Sequence, residues 1–220
     1  RELVHLADRL LPNSHAEATQ LIRYFGARPE RITVVPNGFD ARLQKGNAER
    51  FRARHGGEPF VLFAGRVEPR KNLLGLIQSA RSEGLRLVVA GGEVPGWQDY
   101  ARSCRAAGGE EVTWLGRLEP GSAALADAFS AARVFALPSW FETPGLAALE
   151  AAAAGCSVVI TPRGCAREYF GDWAHYASPD SPRSQPGDPL SPRPPGRPDR
   201  FSCSLSRGAS PRWIPGIRNP

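Results

Sequence analysis

Residues 134–160 read VFALPSWFETPGLAALEAAAAGCSVVI, and this stretch decides the fold class. It opens on four consecutive apolar residues, Val134–Leu137, and closes on Ser157–Ile160. Runs this short and this continuous suit strands covered on both faces. Between them, Pro144–Ala154 has Glu150 as its one polar residue, and reads as a helix buried all round. Thr143 is placed to cap it, and Pro144 takes the first helical position, where a missing N–H costs nothing. Gly155 ends it. Strand, helix and strand within roughly 30 residues make a βαβ unit, which requires a parallel sheet.

The same pattern extends in both directions. Phe60–Ala64, Leu85–Ala90, Val112–Leu115 and His175–Ala177 complete a set of six candidate strands. Helices are expected over Asn72–Glu83, Trp97–Ala107, Ser122–Ala131 and Ala166–Phe170. Alternation of this kind implies an α/β fold, a doubly wound, Rossmann-like parallel sheet of about six strands. Ligands of such sheets lie beyond the carboxyl ends of the strands, where strand order reverses. Function is therefore expected in the loops opening at Gly65, Gly91, Gly116, Pro138 and Thr161.

The flanks differ in kind. Helices are expected at Glu2–Leu10 and Ser14–Phe25, with Asn13 or Ser14 as cap, an apolar bridge at Arg9–Pro12 and a strand at Ile32–Val35. One strand and two helices cannot build a core, so residues 1–37 read as the closing remnant of a preceding domain. Residues 38–58 read as a polar linker and 59–180 as the ligand-binding domain. The chain begins with Arg1 and contains no Met, as expected for the middle of a longer gene product. Residues 181–220 hold ten of the 21 prolines, seven Ser and seven Arg, a composition expected to be disordered.

That tail also accounts for the charge. The formal net charge is +6, but the tail sets seven Arg against Asp188 and Asp199, leaving residues 1–180 almost neutral. The folded part has no bulk-charge footprint for nucleic acid. Cys104, Cys156, Cys165 and Cys203 show no paired spacing, and His5, His15, His55 and His175 no metal-ligand spacing. No metal site and no disulfide framework is expected, which fits a cytoplasmic chain. No apolar run is long enough to span a bilayer, and no signal peptide is visible.

Three turns could carry chemistry. After Phe60–Ala64 the chain reads Gly65-Arg66-Val67-Glu68-Pro69-Arg70-Lys71. It lacks the second and third glycines of G-x-G-x-x-G, which sets aside a nicotinamide dehydrogenase. It offers cations instead, Arg66, Arg70 and Lys71, and an Arg and a Lys at a strand's carboxyl end suit a diphosphate whose charge grows as it leaves. The plain alternative is a solvated basic loop. In the second turn, free amides at Gly145 and Leu146 form a natural phosphate site at a helix N-terminus. Glu150, set in an apolar helix, needs hydrogen-bond donors, which a ribose diol or a neighbouring Arg would supply. Glu142, just outside the helix, could take sugar hydroxyls. The third turn, Gly116-Arg117-Leu118, could line a base pocket through its backbone, or be a simple connection.

These residues resemble a known family. Glu142 and Glu150, with seven residues between them and introduced by PSWFETPGL, look like the signature of family 4 retaining glycosyltransferases of the GT-B fold. AGRVEPRKN is similar to that family's diphosphate-binding turn. LLPNS and ITVVPNGFD resemble the end of its first domain and its crossover, and REYFGDWAHYASPDSP its late segment. The resemblance runs from about residue 3 to 182. It implies two facing doubly wound domains, of which this chain holds the C-terminal, donor-binding half. By position, Arg66 and Lys71 would hold the diphosphate, Glu150 the ribose, Glu142 the transferred sugar as the catalytic-site carboxylate, and Gly145 and Leu146 would offer amides, with Leu118 near the base.

The partners implied are a nucleotide sugar and a glycan or lipid-linked acceptor, with no metal cofactor; peripheral membrane association would rest on parts outside this sequence. Two features depart from the pattern. Pro144 stands where an aromatic is common, removing one amide. The resemblance also stops near Pro182, where closing helices are expected and a frame-shifted GC-rich reading would give the Pro/Arg/Ser composition instead. Transfer of sugar from a nucleotide-sugar donor with retention is the function expected. A sugar-nucleotide-binding fragment without turnover, or a phosphorylase or epimerase of the same fold, stands as the alternative.

Overall fold

A computed structural model describes residues 2–180; the expected disordered tail lies outside the described residues. Its centre is a six-stranded, all-parallel sheet of β1 (Val61–Ala64), β2 (Leu87–Ala90), β3 (Val112–Gly116), β4 (Val134–Leu137), β5 (Ser157–Ile160) and β6 (Ala174–Tyr176). The strand order is β3-β2-β1-β4-β5-β6. Val61 pairs with Leu87 on one side and with Val134 on the other, so β1 and β4 flank the point where the order reverses. All four residues of β1, β2 and β4 are buried. Each fully buried Val, Leu, Ile or Phe contributes about 1.5–3 kcal/mol, which is why these runs carry so little polarity.

Helices α4 (Leu73–Ser82) and α5 (Gln98–Gly108) pack together along one group of crossovers. A second group contains α3 (Ala48–His55), α6 (Ala123–Ala131) and α7 (Leu146–Ala153), with the short α8 (Ala166–Phe170) leading into β6. Right-handed crossovers from a sheet of this order place the two groups on opposite faces. The six strands expected for the sheet and its crossover helices are all present, shifted at their ends by a residue or two.

Four expectations need correction. The stretch Phe39–Glu58 is not an open linker: Ala41–Lys45 forms a 3-10 turn and Ala48–His55 forms α3. Leu43 and Phe51 are buried, and Phe51 stacks on Phe60 at 5.1 Å. The buried Asp127 on α6 accepts from Asn47 N at 2.7 Å and from Arg50 Nε at 2.5 Å, docking the segment onto the domain. The first helix, α1, covers only Glu2–Leu6. Ile32–Val35 is no full strand; it makes one parallel bridge, Ile32 to Leu10, extended by Val35 N donating to Pro12 O.

The fourth correction concerns α7, which starts at Leu146 and not at Pro144, with Gly145 as its cap at φ 85° and no side-chain cap from Thr143. Only Gly adopts that backbone region without strain, so the helix cannot be entered earlier. Nor is α7 buried all round. Ala148, Leu149 and Ala151 face the core, while Leu146 is exposed and Glu150 half-buried.

The remnant residues join the domain through α8. α2 (His15–Phe25) is capped by Ser14, and its first two amides, His15 N and Ala16 N, both donate to the Glu168 carboxylate at 2.7 Å. The Tyr169 hydroxyl donates to Asn13 O at 2.6 Å and accepts from Asn37 N at 2.9 Å.

Candidate functional site

The reversal of strand order brings the turn after β1 against the loop after β4. The first of these, Gly65–Asn72, contains a short 3-10 turn at Pro69–Lys71. The second carries Glu142, only 4% exposed. Lys71 Nζ donates to Glu142 Oε1 at 2.5 Å, and Arg70 Nη1 lies 3.9 Å from the same oxygen. Arg70 also grips the neighbouring main chain. Its Nη1 donates to Phe141 O at 2.9 Å, and its own carbonyl accepts from Trp140 N at 2.9 Å. The buried Glu68 then takes Arg66 Nη2 at 3.0 Å and Arg70 Nη2 at 3.2 Å on a single oxygen. Carboxylates this far from water need such cations to offset their lost hydration.

The other side of Glu142 is fixed by the loop after β5. Glu142 N donates to Arg163 O at 3.1 Å, and Cys165 N to Glu142 O at 3.2 Å, a bridge that brackets Gly164. Gly164 has φ 110°, and a Cβ there would fall 1.9 Å from Glu142 O. The approach is possible only without a side chain. Arg163 lies over the Trp140 ring at 5.4 Å and pairs with Asp180, closing the rim.

Glu150 stands one helical stretch further on. Burial pushes its carboxyl above the usual range, with the nearby Asp40 carboxylate adding to the shift. Among the described residues its carboxylate has no hydrogen-bond or ion-pair partner, so the neighbouring-Arg alternative is not seen. The amides of Gly145 and Leu146 likewise donate to no acceptor among the described residues. Arg66 is exposed apart from its bond to Glu68, and its other donors have no partner among the described residues.

The structure thus gathers Arg66, Lys71 and Glu142 at one end of the sheet, with Gly145, Leu146 and Glu150 on the helix that follows. Leu118 stands apart. It packs against the core and lines a different cleft with Phe51, Trp114 and Asp127 beside β3. Sequence reasoning missed Glu68 and Gly164. The first was hidden in a turn read for its cations; the second follows a Pro-Arg pair that signals only a turn. No group of three or more His, Cys, Asp or Glu side chains among the described residues could hold a metal ion. No helix among them is long and apolar enough to cross a membrane.

Residues 45–183 match the family model for glycosyl transferases group 1, and residues 1–43 match that for glycosyltransferase family 4. The chain belongs to the group 1 glycosyltransferases. A curated relative, the D-inositol 3-phosphate glycosyltransferase of Nocardia farcinica, is 34% identical over 182 residues, covering 74% of this chain and 40% of that protein. The chain therefore spans about two fifths of the length of the curated relatives it matches.

Among solved structures, sucrose-phosphate synthase from Thermosynechococcus elongatus superposes with a TM-score of 0.67 at 26% identity, over 81% of this chain and 47% of that one. Anabaena HepE, solved in complex with UDP, gives a TM-score of 0.69 at 23% identity, over 81% and 52%, a likeness of fold. The sheet order and the family make this chain the C-terminal half of a GT-B architecture, with residues 1–43 matching the family 4 model.

Proposed function

We propose that this chain is the donor-binding part of a retaining glycosyltransferase, holding a nucleotide sugar at the β1/β4 switch point. The observation that carries the reading is the Lys71–Glu142 pair at that point, with Arg66 beside it and, on the next helix, a Glu150 carboxylate without a partner among the described residues. Lys71 has three N–H donors and spends one on Glu142. The others, with Arg66, suit a diphosphate and would stabilise the charge that collects on it as the glycosidic bond breaks. Gly145 and Leu146 would add amide donors at the start of α7.

Glu142 is bound by backbone on one side and by Lys71 on the other, so its carboxylate is pre-oriented for the hydroxyls of the transferred sugar. Glu150, half-buried and with no side-chain partner among the described residues, suits the ribose diol common to every nucleotide donor. Leu118 is proposed only as a distant wall on the base side. The substrate class is a nucleotide sugar, the acceptor a glycan or lipid-linked sugar, and no metal is required. Cytoplasmic action and a role in polysaccharide synthesis go with this reading.

Because the chain spans 40% of its relative, binding without turnover is the second reading, and sugar transfer by this chain alone is expected to be absent or very weak. Thermal-shift screening against UDP, GDP, ADP and their glucose or mannose derivatives tests the proposal, since a bound ligand stabilises only the folded state. A shift with one base, larger for its sugar derivative, is expected. No shift with any of them would overturn it.

A further inference from the structure

Arg70 behaves unlike the two cations beside it. Among the described residues, Arg66 and Lys71 keep N–H donors without a partner at the mouth of the site, whereas Arg70 is committed to the protein. Its guanidinium joins the buried Glu68 at 3.2 Å to the Phe141 carbonyl at 2.9 Å, while its main-chain carbonyl holds Trp140 N at 2.9 Å. One residue of the β1 turn thus grips two consecutive residues of the β4 loop, by side chain and by backbone, immediately before Glu142. Glu68 is 7% exposed, so its carboxylate has little freedom and serves as a fixed anchor for the guanidinium fork.

We propose that Arg70, braced by Glu68, is a positioning residue that sets Glu142 against the donor's sugar. It contributes to the preference for sugar-bearing donors over bare nucleoside diphosphates and leaves the diphosphate to Arg66 and Lys71. This deepens the donor-site reading and rests on it.

The test has two arms on the full 220-residue chain. The first needs no ligand: amide hydrogen exchange at Trp140 and Glu142 in Arg70→Ala and in Glu68→Gln. Exchange about tenfold or more faster at these two amides in Arg70→Ala, with β5 and the core of α7 unchanged, is expected. Unchanged protection at Trp140 and Glu142 overturns the brace.

The second arm is calorimetry with UDP and UDP-glucose, or GDP and GDP-mannose if thermal shift selects guanine. Arg70→Ala should leave the bare diphosphate within a few-fold and remove most of the affinity that the sugar adds, about tenfold. Arg70→Lys keeps the charge but not the fork and should not restore it. Loss of bare-diphosphate affinity as large as in Lys71→Ala makes Arg70 a phosphate ligand and overturns the proposal, as does an unchanged sugar increment. If the unmutated chain binds none of these probes, the donor-site reading fails, and the exchange arm still decides whether Arg70 holds the loop.

Discussion

Lys71 Nζ and Glu142 Oε1 meet at 2.5 Å across the β1/β4 boundary, with 13% and 5% of their side chains exposed. Removing Lys71 leaves the buried Glu142 carboxylate with the more distant Arg70 as its remaining cation among the described residues. Lys71→Ala should therefore cost about 3 kcal/mol of stability. Adding Glu142→Gln should recover a large part of it, because the orphaned charge goes with it. Urea unfolding of the single and double variants measures this. Equal stabilities of wild type and Lys71→Ala would mean that the pair is solvated and not buried.

Gly164 tests the opposite wall. Its left-handed backbone and the 1.9 Å approach of a would-be Cβ to Glu142 O leave no room for a methyl group. Gly164→Ala should lose at least about 2 kcal/mol and weaken sugar-dependent donor binding. Unfolding within about 0.5 kcal/mol of wild type would show that the two loops do not press together as described.

How much of this was readable beforehand differs between the sheet and the site. Val61–Ala64 and Val134–Leu137 announced themselves because strands covered on both faces leave no place for polar residues. Their neighbourhood did not: nothing in the local pattern says that β4 lies beside β1, so the meeting of Lys71 with Glu142, 71 positions on, was beyond reach of spacing alone. A candidate stood out where a residue type is costly to bury without a partner, as at Glu150. One was hidden where the purpose is structural, as at Glu68, whose role depends on Arg70 turning back onto Phe141. Helix α3 was missed because AERFRARH has one core residue, Phe51, and no periodicity to betray it. The start of α7 was misplaced because Pro144 suits a first turn, whereas the backbone of Gly145 delays it.

Glu150 should make stability depend on pH in a direction of its own. Burial, helped by Asp40, raises its folded-state pKa above the ordinary 4.5. The folded chain then holds this proton more tightly than the unfolded one. Its favourable contribution is complete below pH 4.5 and is lost as pH rises through the folded value. Glu150→Gln should accordingly raise the melting temperature at pH 7, with the difference fading below pH 4.5, while nucleotide binding falls. A variant less stable than wild type at pH 7 would mean that the carboxylate has a partner in the free protein.

Donor binding should not depend on a divalent cation. Lys71 and Arg66 supply positive charge where the diphosphate is proposed to sit, and no acidic or His cluster among the described residues stands ready to ligate a metal. Titration of the preferred nucleoside diphosphate with and without a chelator checks this. Affinities within a few-fold are expected; a loss well beyond tenfold on chelation would point to a metal held by the donor.

The central claim, that the two glutamates divide the nucleotide sugar between them, is met most directly by a calorimetric double difference. Glu142→Ala and Glu150→Ala are each titrated with the preferred nucleoside diphosphate and with its sugar derivative, with thermal unfolding as a control on folding. Hydrogen bonds to a charged group are worth about 1.5–3 kcal/mol, so Glu150→Ala should weaken both ligands roughly ten- to hundredfold. Glu142→Ala should leave the bare diphosphate within a few-fold and erase the affinity that the sugar adds. If Glu142→Ala weakens the bare diphosphate as much as Glu150→Ala does, or if neither substitution changes either affinity, the assignment of the site is contradicted.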